Sequence, residues 1–364
     1  MSPVEEGAPL HFDLALVGFG HVGRRFARLL DECRETLLRD HGLSTRIVGI
    51  ATARHGAAFD AAGLEVARAL ALAELDRQLD QLHDPSTGPV PRTGIELIAR
   101  QAAVQPEAVR VVVETTALDV HHGQPATDHV RAALSSGAHV VTANKGPAAV
   151  AYGELRELAE RAGRSFLFEG TVMDGIPVFN LVRHTMPAVT VLGFRGIVNT
   201  TTNYILTAVQ QGRAFDDALA EMQEAGIAEA DPWLDVQGWD AAAKAAVLAN
   251  VLMEGRLTPS DVERTGIGPD IAARIAKARA EGRHLRLVAG GARDGDRVTA
   301  RVGPVALAPD DLLASVHGLA NALVLQTDLL GEVAIVQLRG DLTQTAYALV
   351  SDLVEVRRRL APTR

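Results

Sequence analysis

The densest group of chemically reactive side chains lies between positions 229 and 244. Four carboxylates, the last of them Asp240, precede Lys244, and no other charge follows Lys244 before Glu254. The alanine-rich segment 240–253 predicts a helix, on which Asp240 and Lys244 lie one turn apart on one face. An exposed ion pair would have the same spacing, but the segment is apolar on all sides, which is unusual for an exposed helix. We therefore predict that Lys244 faces a cleft, where a lysine can donate a proton to a carbonyl oxygen as hydride reaches its carbon.

A second lysine is placed near a ligand site by the strand that precedes it. Lys145 follows the predicted strand 139–142, at the carboxyl end of a predicted parallel sheet. Ligands bind at this edge of α/β sheets. Carboxylates close to a lysine orient it, and they also bind a substrate ammonium group. The sequence therefore predicts an amino-acid-like small molecule between acids and lysines.

A glycine loop near the start of the chain predicts a nucleotide site. Gly18, Gly20 and Gly23 match the G-x-G-x-x-G pattern between a predicted strand and a predicted helix. The first glycine permits the tight turn, the second lets backbone approach a pyrophosphate, and the third lets helix and strand pack closely. The phosphates then lie at the positive end of the helix. We predict that this loop, with Phe19 and Val22 between its glycines, binds a dinucleotide.

The residues after the second predicted strand bear on the choice between NAD and NADP. The strand at 46–51 is not followed by the Asp or Glu that usually binds the ribose hydroxyls of NAD. Arg54 lies there instead, and its planar guanidinium suits a 2′-phosphate. The sequence therefore favours NADP, and NAD stays the alternative if Arg54 is an ordinary surface arginine.

Hydrophobic patterning predicts an α/β fold with two kinds of domain. The first part alternates buried strands with amphipathic helices, which is typical of a doubly wound parallel sheet of the Rossmann type. Its strands are predicted at 12–17, 46–51, 110–114, 139–142 and 165–168. Later strands near 189–197 and 297–302 flank alanine-rich helices, which indicates a second domain of the mixed α+β class. We place the domains at 1–165 and 166–320, and we expect 321–364 to return to the nucleotide-binding domain.

Composition narrows the class of protein. The chain has 364 residues, is 47% hydrophobic and carries a net charge of −9, so it has the size for two domains and no basic footprint for nucleic acid. The single cysteine, Cys33, excludes a disulfide within the chain, and no apolar run has the length of a membrane span. Residues 1–10 lack the basic start of a signal peptide, and no histidine spacing is typical of zinc. We expect a cytoplasmic protein.

Four motifs together resemble the homoserine dehydrogenase family, over nearly the whole chain. They are GFGHVG at 18–23, VTANK at 141–145, NTTTNYIL at 199–206 and GIAEADPWLDVQGWDAAAK at 226–244. The resemblance implies a catalytic and dimerisation domain, and a homodimer that uses NAD or NADP to interconvert L-aspartate 4-semialdehyde and L-homoserine. The chain stops at Arg364, so we expect no appended regulatory domain and no threonine feedback through one.

The resemblance also implies roles for the lysines and acids. Lys244 corresponds to the acid/base lysine, Asp235 to its partner aspartate, and Lys145 to a second essential lysine. Glu229 and Asp240 correspond to acids of the substrate pocket.

Three threonines have implied roles as well. Thr201 corresponds to a threonine that contacts the substrate backbone, whereas Thr115 and Thr116 correspond to the place where the nicotinamide half of the cofactor is held. In family members a glycine is common where this chain has Thr200, so the floor of the pocket carries an added side chain.

The segment 169–177 resembles a loop whose backbone oxygens bind a monovalent cation such as sodium. Glu169, Val172 and Asp174 are the candidate cation residues, although Met173 and Asp174 replace small residues of the family. A plain structural turn is the alternative. A third departure is the run Arg339–Thr345, where a Gly-Ala-Gly run is frequent, so cofactor contacts from this end are expected to differ.

Two rival functions follow from these departures. A paralogue could reduce a different amino-acid semialdehyde, because Thr200 and Asp174 alter the expected pocket. A nucleotide-sensing regulator would keep the glycine loop and bind a cofactor without turnover. The intact set of Glu229, Asp235, Asp240 and Lys244 argues against a regulator.

Overall fold

The first sheet is built from six strands of the N-terminal part of the chain. The computed structural model describes residues 9–225 and 232–360. The strands are β1 (Leu10–Val17), β2 (Leu43–Ala51), β3 (Ala57–Phe59), β4 (Val109–Glu114), β5 (His139–Thr142) and β6 (Phe166–Leu167). Their order is β3-β2-β1-β4-β5-β6, and the pairs from β2 to β6 are parallel. This order reverses at β1 and β4, which confirms the predicted Rossmann-type sheet.

Helices cover both faces of this sheet, because its strands are apolar on both sides. They are α1 (His21–Glu32), α2 (Arg34–His41), α3 (Val66–Glu74), α4 (Gly94–Val104), α5 (Ala126–Ser135), α6 (Lys145–Val150) and α7 (Tyr152–Ala162). Two details differ from the sequence-based prediction. The edge strand β3 is antiparallel to β2, and the helix predicted after the glycine loop is followed directly by a second helix, with Cys33 between them.

The second sheet is mainly antiparallel and also has six strands in the described part of the chain. They are β7 (Val191–Ile197), β8 (Glu263–Arg264), β9 (His284–Asp294), β10 (Arg297–Leu307), β11 (Asn321–Thr327) and β12 (Gly331–Gln337). The order is β12-β11-β7-β9-β10-β8. The accompanying helices are α8 (Val178–Thr185), α9 (Thr200–Gln210), α10 (Phe215–Glu224), α11 (Trp233–Val236), α12 (Trp239–Leu252) and α13 (Ile271–Ala280). This mixture confirms the predicted α+β architecture.

Helix α12 lies between the two parts of the fold. It packs against β9 and β10 on one side and against α6 and α7 on the other. Nine of its residues are buried, six of them alanines. Small side chains let backbones approach on every side, so this helix can be enclosed. Its first turn consequently meets the start of α6, which carries Lys145.

The C-terminal segment is divided between the two parts. Strand β11 pairs with β7 and β12 pairs with β11, so 321–337 belongs to the second sheet. Helix α14 (Leu342–Arg359) instead packs against α1 and buries Leu349 and Leu353 in the core of the first part. The prediction that 321–364 returns as one segment is therefore corrected, because the free edge of β7 takes up the strands. No helix of residues 9–225 or 232–360 is long and apolar enough to cross a membrane.

Candidate active site

The glycine loop has the geometry that a dinucleotide requires. Gly18 has φ of +99°, and a Cβ there would lie 2.5 Å from the Thr115 carbonyl carbon, so only glycine fits. Nothing lies within 4 Å of a Cβ placed on Gly20, which leaves open space over its backbone. A Cβ on Gly23 would approach the Gly18 oxygen to 2.8 Å. Helix α1 has no side-chain cap and no acid in its first turn, so its N–H groups are available to phosphate.

The neighbouring residues hold this loop in place. Phe19 is buried and Val22 is half-buried, so both support the loop rather than point into solvent. The Thr115 hydroxyl donates to the Gly18 carbonyl oxygen at 3.0 Å. Arg54 is exposed beyond the end of β2, and its backbone oxygen accepts from Gln78 Nε2 at 3.2 Å. An exposed guanidinium fits both interpretations of Arg54 given above.

Glu114 is a residue of this edge that sequence reasoning missed. Its side chain is fully buried at the end of β4. It accepts hydrogen bonds from Thr116 N at 3.1 Å, from the Thr116 hydroxyl, and from the Thr142 hydroxyl at 3.3 Å. The signal was present, because an acid ending the apolar run RVVVE is costly to bury without such donors. Glu114 joins the ends of β4 and β5, beside the predicted nicotinamide position.

Two lysines and one aspartate form the centre of the candidate site. Asp240, at the start of α12, lies 3.0 Å from Lys145 Nζ and 3.1 Å from Lys244 Nζ. The three side chains are only 13–21% exposed. Among the described residues, the carboxylate within 4 Å of Lys244 is Asp240, one helical turn away, rather than the predicted Asp235, which lies on α11. We call Lys145, Asp235, Asp240 and Lys244 the lysine–aspartate centre.

Asn199 connects Asp235 to Asp240 within this centre. Sequence reasoning did not identify Asn199 as a site residue. Its amide nitrogen donates to Asp235 Oδ1 at 2.7 Å and to Asp240 Oδ2 at 3.0 Å. Its oxygen accepts from Thr202 N at 2.9 Å, which caps helix α9. The sequence indicates the cap alone, because a cap depends on local spacing. Thr201, two residues after Asn199, also donates to Asp235.

Burial and opposite charges act together on the pKa values of the centre. Burial raises the pKa of Asp240, but Lys145, Lys244 and Asn199 outweigh it and bring the pKa well below its ordinary value. Burial lowers the pKa of Lys145, yet Asp240, Asp235 and Asp174 raise it further, so it stays above its ordinary value. Burial and the charge of Asp240 raise the pKa of Asp235. Asp240 and Lys145 are therefore both charged at neutral pH.

Two partners among the described residues hold the ammonium group of Lys244. Lys244 Nζ donates to the Val198 carbonyl oxygen at 2.6 Å and pairs with Asp240. An ammonium has three hydrogens, so these two contacts within 9–225 and 232–360 leave a third donor that a bound oxygen can use. Such an arrangement suits proton transfer to or from a hydroxyl or carbonyl group.

Comparisons with known proteins identify the family. Residues 18–169 match the model described as the NAD-binding domain of homoserine dehydrogenase, and residues 177–354 match the model described as homoserine dehydrogenase. A NAD(+)-dependent homoserine dehydrogenase from Pseudomonas canavaninivorans is 35% identical, over 95% of this chain and 96% of that protein. The chain belongs to the homoserine dehydrogenase family. It is therefore an oxidoreductase that acts on a CH–OH group with a nicotinamide cofactor.

Two further relatives cover almost the whole chain. The homoserine dehydrogenase of Methanocaldococcus jannaschii is 35% identical over 94% of this chain and 98% of its own length. The crystal structure of homoserine dehydrogenase from Thermoplasma acidophilum superposes with a TM-score of 0.77 at 26% identity, and covers 96% of this chain and 99% of that one. The family assignment thus applies to both parts of the fold.

The homoserine dehydrogenase motif at 226–244 is only partly described by the structure. Glu229, a predicted substrate-pocket acid, lies outside the described residues, as does Asp231. The described part of the motif begins at Pro232 and supplies Asp235, Asp240 and Lys244.

The predicted cation loop uses its carboxylates for contacts within the protein. Glu169 accepts from Phe179 N at 2.7 Å and from Asn180 N at 2.9 Å, so it caps helix α8. Asp174 accepts from Gln337 Nε2 and from the Thr345 hydroxyl, each at 3.0 Å. The described residues contain no group of three His, Cys, Asp or Glu side chains that could hold a metal. Cation binding through the backbone oxygens of the loop, Val172 included, stays a prediction.

Proposed function

We propose that the chain interconverts L-aspartate 4-semialdehyde and L-homoserine, with Lys244 as the acid/base residue. The carrying observation is the largely buried Lys244 ammonium, held by Asp240 and the Val198 oxygen beside Lys145. The nicotinamide cofactor supplies or accepts the hydride when it is bound. In reduction, Lys244 gives a proton to the aldehyde oxygen, and in oxidation it takes the proton of the hydroxyl group. General acid/base catalysis of this kind contributes about 10²- to 10⁴-fold.

The other residues of the centre position the reacting group. Asp240 already accepts from Lys145, Lys244 and Asn199, so we infer that it acts on the substrate through the two lysines. Lys145 lies beside it with its charge available to a substrate carboxylate and the reacting oxygen. Recognition of the substrate amino group falls to Glu229, with Thr201 at the substrate backbone.

The deciding experiment follows absorbance of the reduced nicotinamide band while the purified protein is mixed with L-homoserine and NADP or, separately, NAD. We expect growth of the band with at least one cofactor. Cofactor binding without any growth would contradict the proposal and favour a paralogue that acts on another amino alcohol. That rival rests on the added side chains of Thr200 and Asp174, and a panel of amino alcohols separates the two.

We propose NADP as the preferred cofactor, because Arg54 follows the end of β2 and no Asp or Glu stands directly after this strand in the sequence. The similarity to a relative named NAD(+)-dependent argues for the other choice. Arg54→Ala is expected to weaken NADP binding about tenfold, the loss of one charge-assisted hydrogen bond, and to leave NAD binding unchanged. Arg77→Ala, at another exposed arginine, is the control. An unchanged preference in Arg54→Ala would contradict the NADP proposal.

We also propose a homodimer formed through the second sheet. Leu192, Val305 and Val336 are 38–43% exposed on its strands, and a groove of about 920 Å³ runs along β9 and β10. Exposed apolar sheet surface of this kind marks interaction sites. Sedimentation should show a dimer for the wild type and a monomer for Val305→Arg. Leu75→Arg, at an exposed leucine next to α3, should remain dimeric, and a monomeric wild type would refute the proposal.

A further inference from the structure

One set of hydrogen bonds joins three segments that are far apart in the sequence. They are the 169–177 loop with Asp174, the start of α9 with Thr200, and the segment 339–345 before α14. Asp174 contacts Gln337 and Thr345, and Thr200 contacts Asn321. The three segments are therefore physically connected.

The connection runs through two buried amide side chains. Gln337 and Asn321 are 2% and 4% exposed. Asn321 Nδ2 donates to the Thr200 hydroxyl at 2.9 Å and to Gln337 Oε1 at 3.0 Å. Gln337 Nε2 donates to Asp174 Oδ2 at 3.0 Å and to Gln344 Oε1 at 2.8 Å. Both hydrogens of each amide are used, which fixes the orientation of both groups.

The carboxylate of Asp174 sets the direction of every link. A carboxylate only accepts, so Gln337 must turn its nitrogen to Asp174 and its oxygen to Asn321. Asn321 must in turn present its nitrogen to Thr200. Linked hydrogen bonds in a buried region strengthen one another. A charge at Asp174 is therefore felt at Thr200, two side chains away.

The hydrogen bonds that begin at Asp174 end at Thr200, beside the lysine–aspartate centre. Thr200 is the first residue of α9, between Asn199 and Thr201, which both donate to Asp235. Asp174, at the other end, also affects the centre, because its charge raises the pKa of Lys145. A Cβ at Gly340 would overlap the Asp174 carboxylate, so the glycine of the segment 339–345 is needed for this placement.

We propose that Asp174 is a positioning residue for the reaction, acting on the start of α9 through Gln337, Asn321 and Thr200. The proposal rests on the proposed function, since the group positioned is the substrate site. Asp174 and Thr200 each supply an end partner for the same two amides, so the contribution of each depends on the other.

A double-mutant cycle tests this dependence. Asp174→Gly removes the carboxylate without backbone strain, because residue 174 has φ of +49°. Thr200→Val removes the hydroxyl at the other end. We expect each single variant to raise KM for L-homoserine about tenfold and the double variant to raise it about tenfold as well, rather than a hundredfold. The KM for the cofactor should change less than about twofold, which separates positioning of the substrate from general damage.

Matched variants keep the test decisive. Thr327→Val makes the same change at the far end of β11, where Thr327 donates to Gly331. Its effect on KM should be independent of the effect of Asp174→Gly. Asp174→Asn keeps the size of the side chain, and asparagine tolerates the positive φ at this position. It replaces Asp174→Gly in the cycle if the glycine variant folds poorly.

A second readout is urea unfolding of the same variants, which needs no activity. Additive unfolding effects for Asp174 and Thr200 would overturn the proposal whether or not the enzyme is active. Coupled unfolding with an unchanged KM in an active enzyme would overturn the positioning role. A wild type inactive on L-homoserine would instead refute the proposed function, and the positioning role with it, while a coupled unfolding cycle would still establish the hydrogen-bonded link.

Discussion

Two regions of the molecule bury carboxylates and treat them in opposite ways. In the lysine–aspartate centre, Asp240 lies between two ammonium groups and its pKa is well below the ordinary value. A second region, the carboxyl cluster, contains Glu169, Asp352 and Glu355 between the 169–177 loop and α14. There burial raises the pKa of Glu169 to about 7 and that of Asp352 well above its ordinary value.

The difference comes from the partners rather than from burial. Glu169 and Asp352 are 3% and 1% exposed, and within the described residues their carboxylates accept hydrogen bonds from backbone N–H groups, including Glu169 N to Asp352 Oδ2 at 3.0 Å. A neutral donor offsets less of the desolvation cost of a carboxylate than an ammonium does. The centre therefore keeps its charges for chemistry, whereas Glu169 and Asp352 of the cluster favour their protonated forms and join the 169–177 loop to α14. Four predictions test this contrast, in order of decreasing effect.

The largest effect is expected at Lys244. Lys244→Met should lower kcat by about a thousandfold, because the proton donor is lost while the space is filled. Cofactor affinity, measured by titration, should stay nearly intact. Lys277→Met is the control, since Lys277 is exposed on α13 and is the third lysine of the chain. Undiminished turnover in Lys244→Met would show that the centre does not supply the proton donor.

Removal of the shared acid should damage both activity and stability. Asp240→Asn leaves two ammonium groups without their carboxylate, so kcat/KM should fall about a hundredfold through misplacement of Lys244. The free energy of unfolding should fall by about 3 kcal/mol, as for a broken buried ion pair. Asp270→Asn, at an exposed aspartate, should change neither quantity. A stable and active Asp240→Asn would show that the centre does not depend on opposite charges.

Because of the carboxyl cluster, the free energy of unfolding should fall as the pH rises. A carboxyl whose folded pKa lies above its unfolded pKa stabilises the fold fully below the unfolded value, and this contribution is lost as pH rises through the folded value. For Glu169 this loss extends from about pH 4.5 to about pH 7 and amounts to about 3 kcal/mol.

Asp352→Asn should flatten this dependence. The neutral amide resembles the protonated acid, so the variant should match the wild type near pH 5 and be more stable at pH 8. Urea unfolding at several pH values measures the difference, with exposed Asp310→Asn as the control. A variant that loses stability equally at all pH values would mean that Asp352 is ionised in the fold.

The smallest effect is expected at the edge of the cluster. His184 Nε2 lies 3.0 Å from Glu355 Oε2, but the imidazole is 41% exposed. Water competes for such a pair, so His184→Gln should change the free energy of unfolding by less than about 1 kcal/mol. A larger loss in thermal or urea unfolding would show that this partly exposed pair stabilises the fold as much as a buried one.

Local patterns were enough to predict most of the first sheet. Strand β5 lies where the apolar run at 139–142 predicts it, and the glycine loop follows β1 as expected. Strand β9 was not predicted, because its two glycines and its arginines interrupt the apolar run, and pairing with β7 and β10 supplies what the sequence pattern lacks. Strand β3 has three residues, too few to show a period.

The sequence alone determined those features of the site that depend on neighbours in the chain. Gly18 is required by the turn it makes, and Lys244 shares a face with Asp240 because four residues make about one helical turn. Only the tertiary structure decided that Lys145 joins them, that Asn199 connects Asp235 to Asp240, and that Asp174 is linked to Thr200. These contacts join segments that are distant in sequence, and electrostatic energies depend on distance and burial in the folded chain, which residue spacing does not specify.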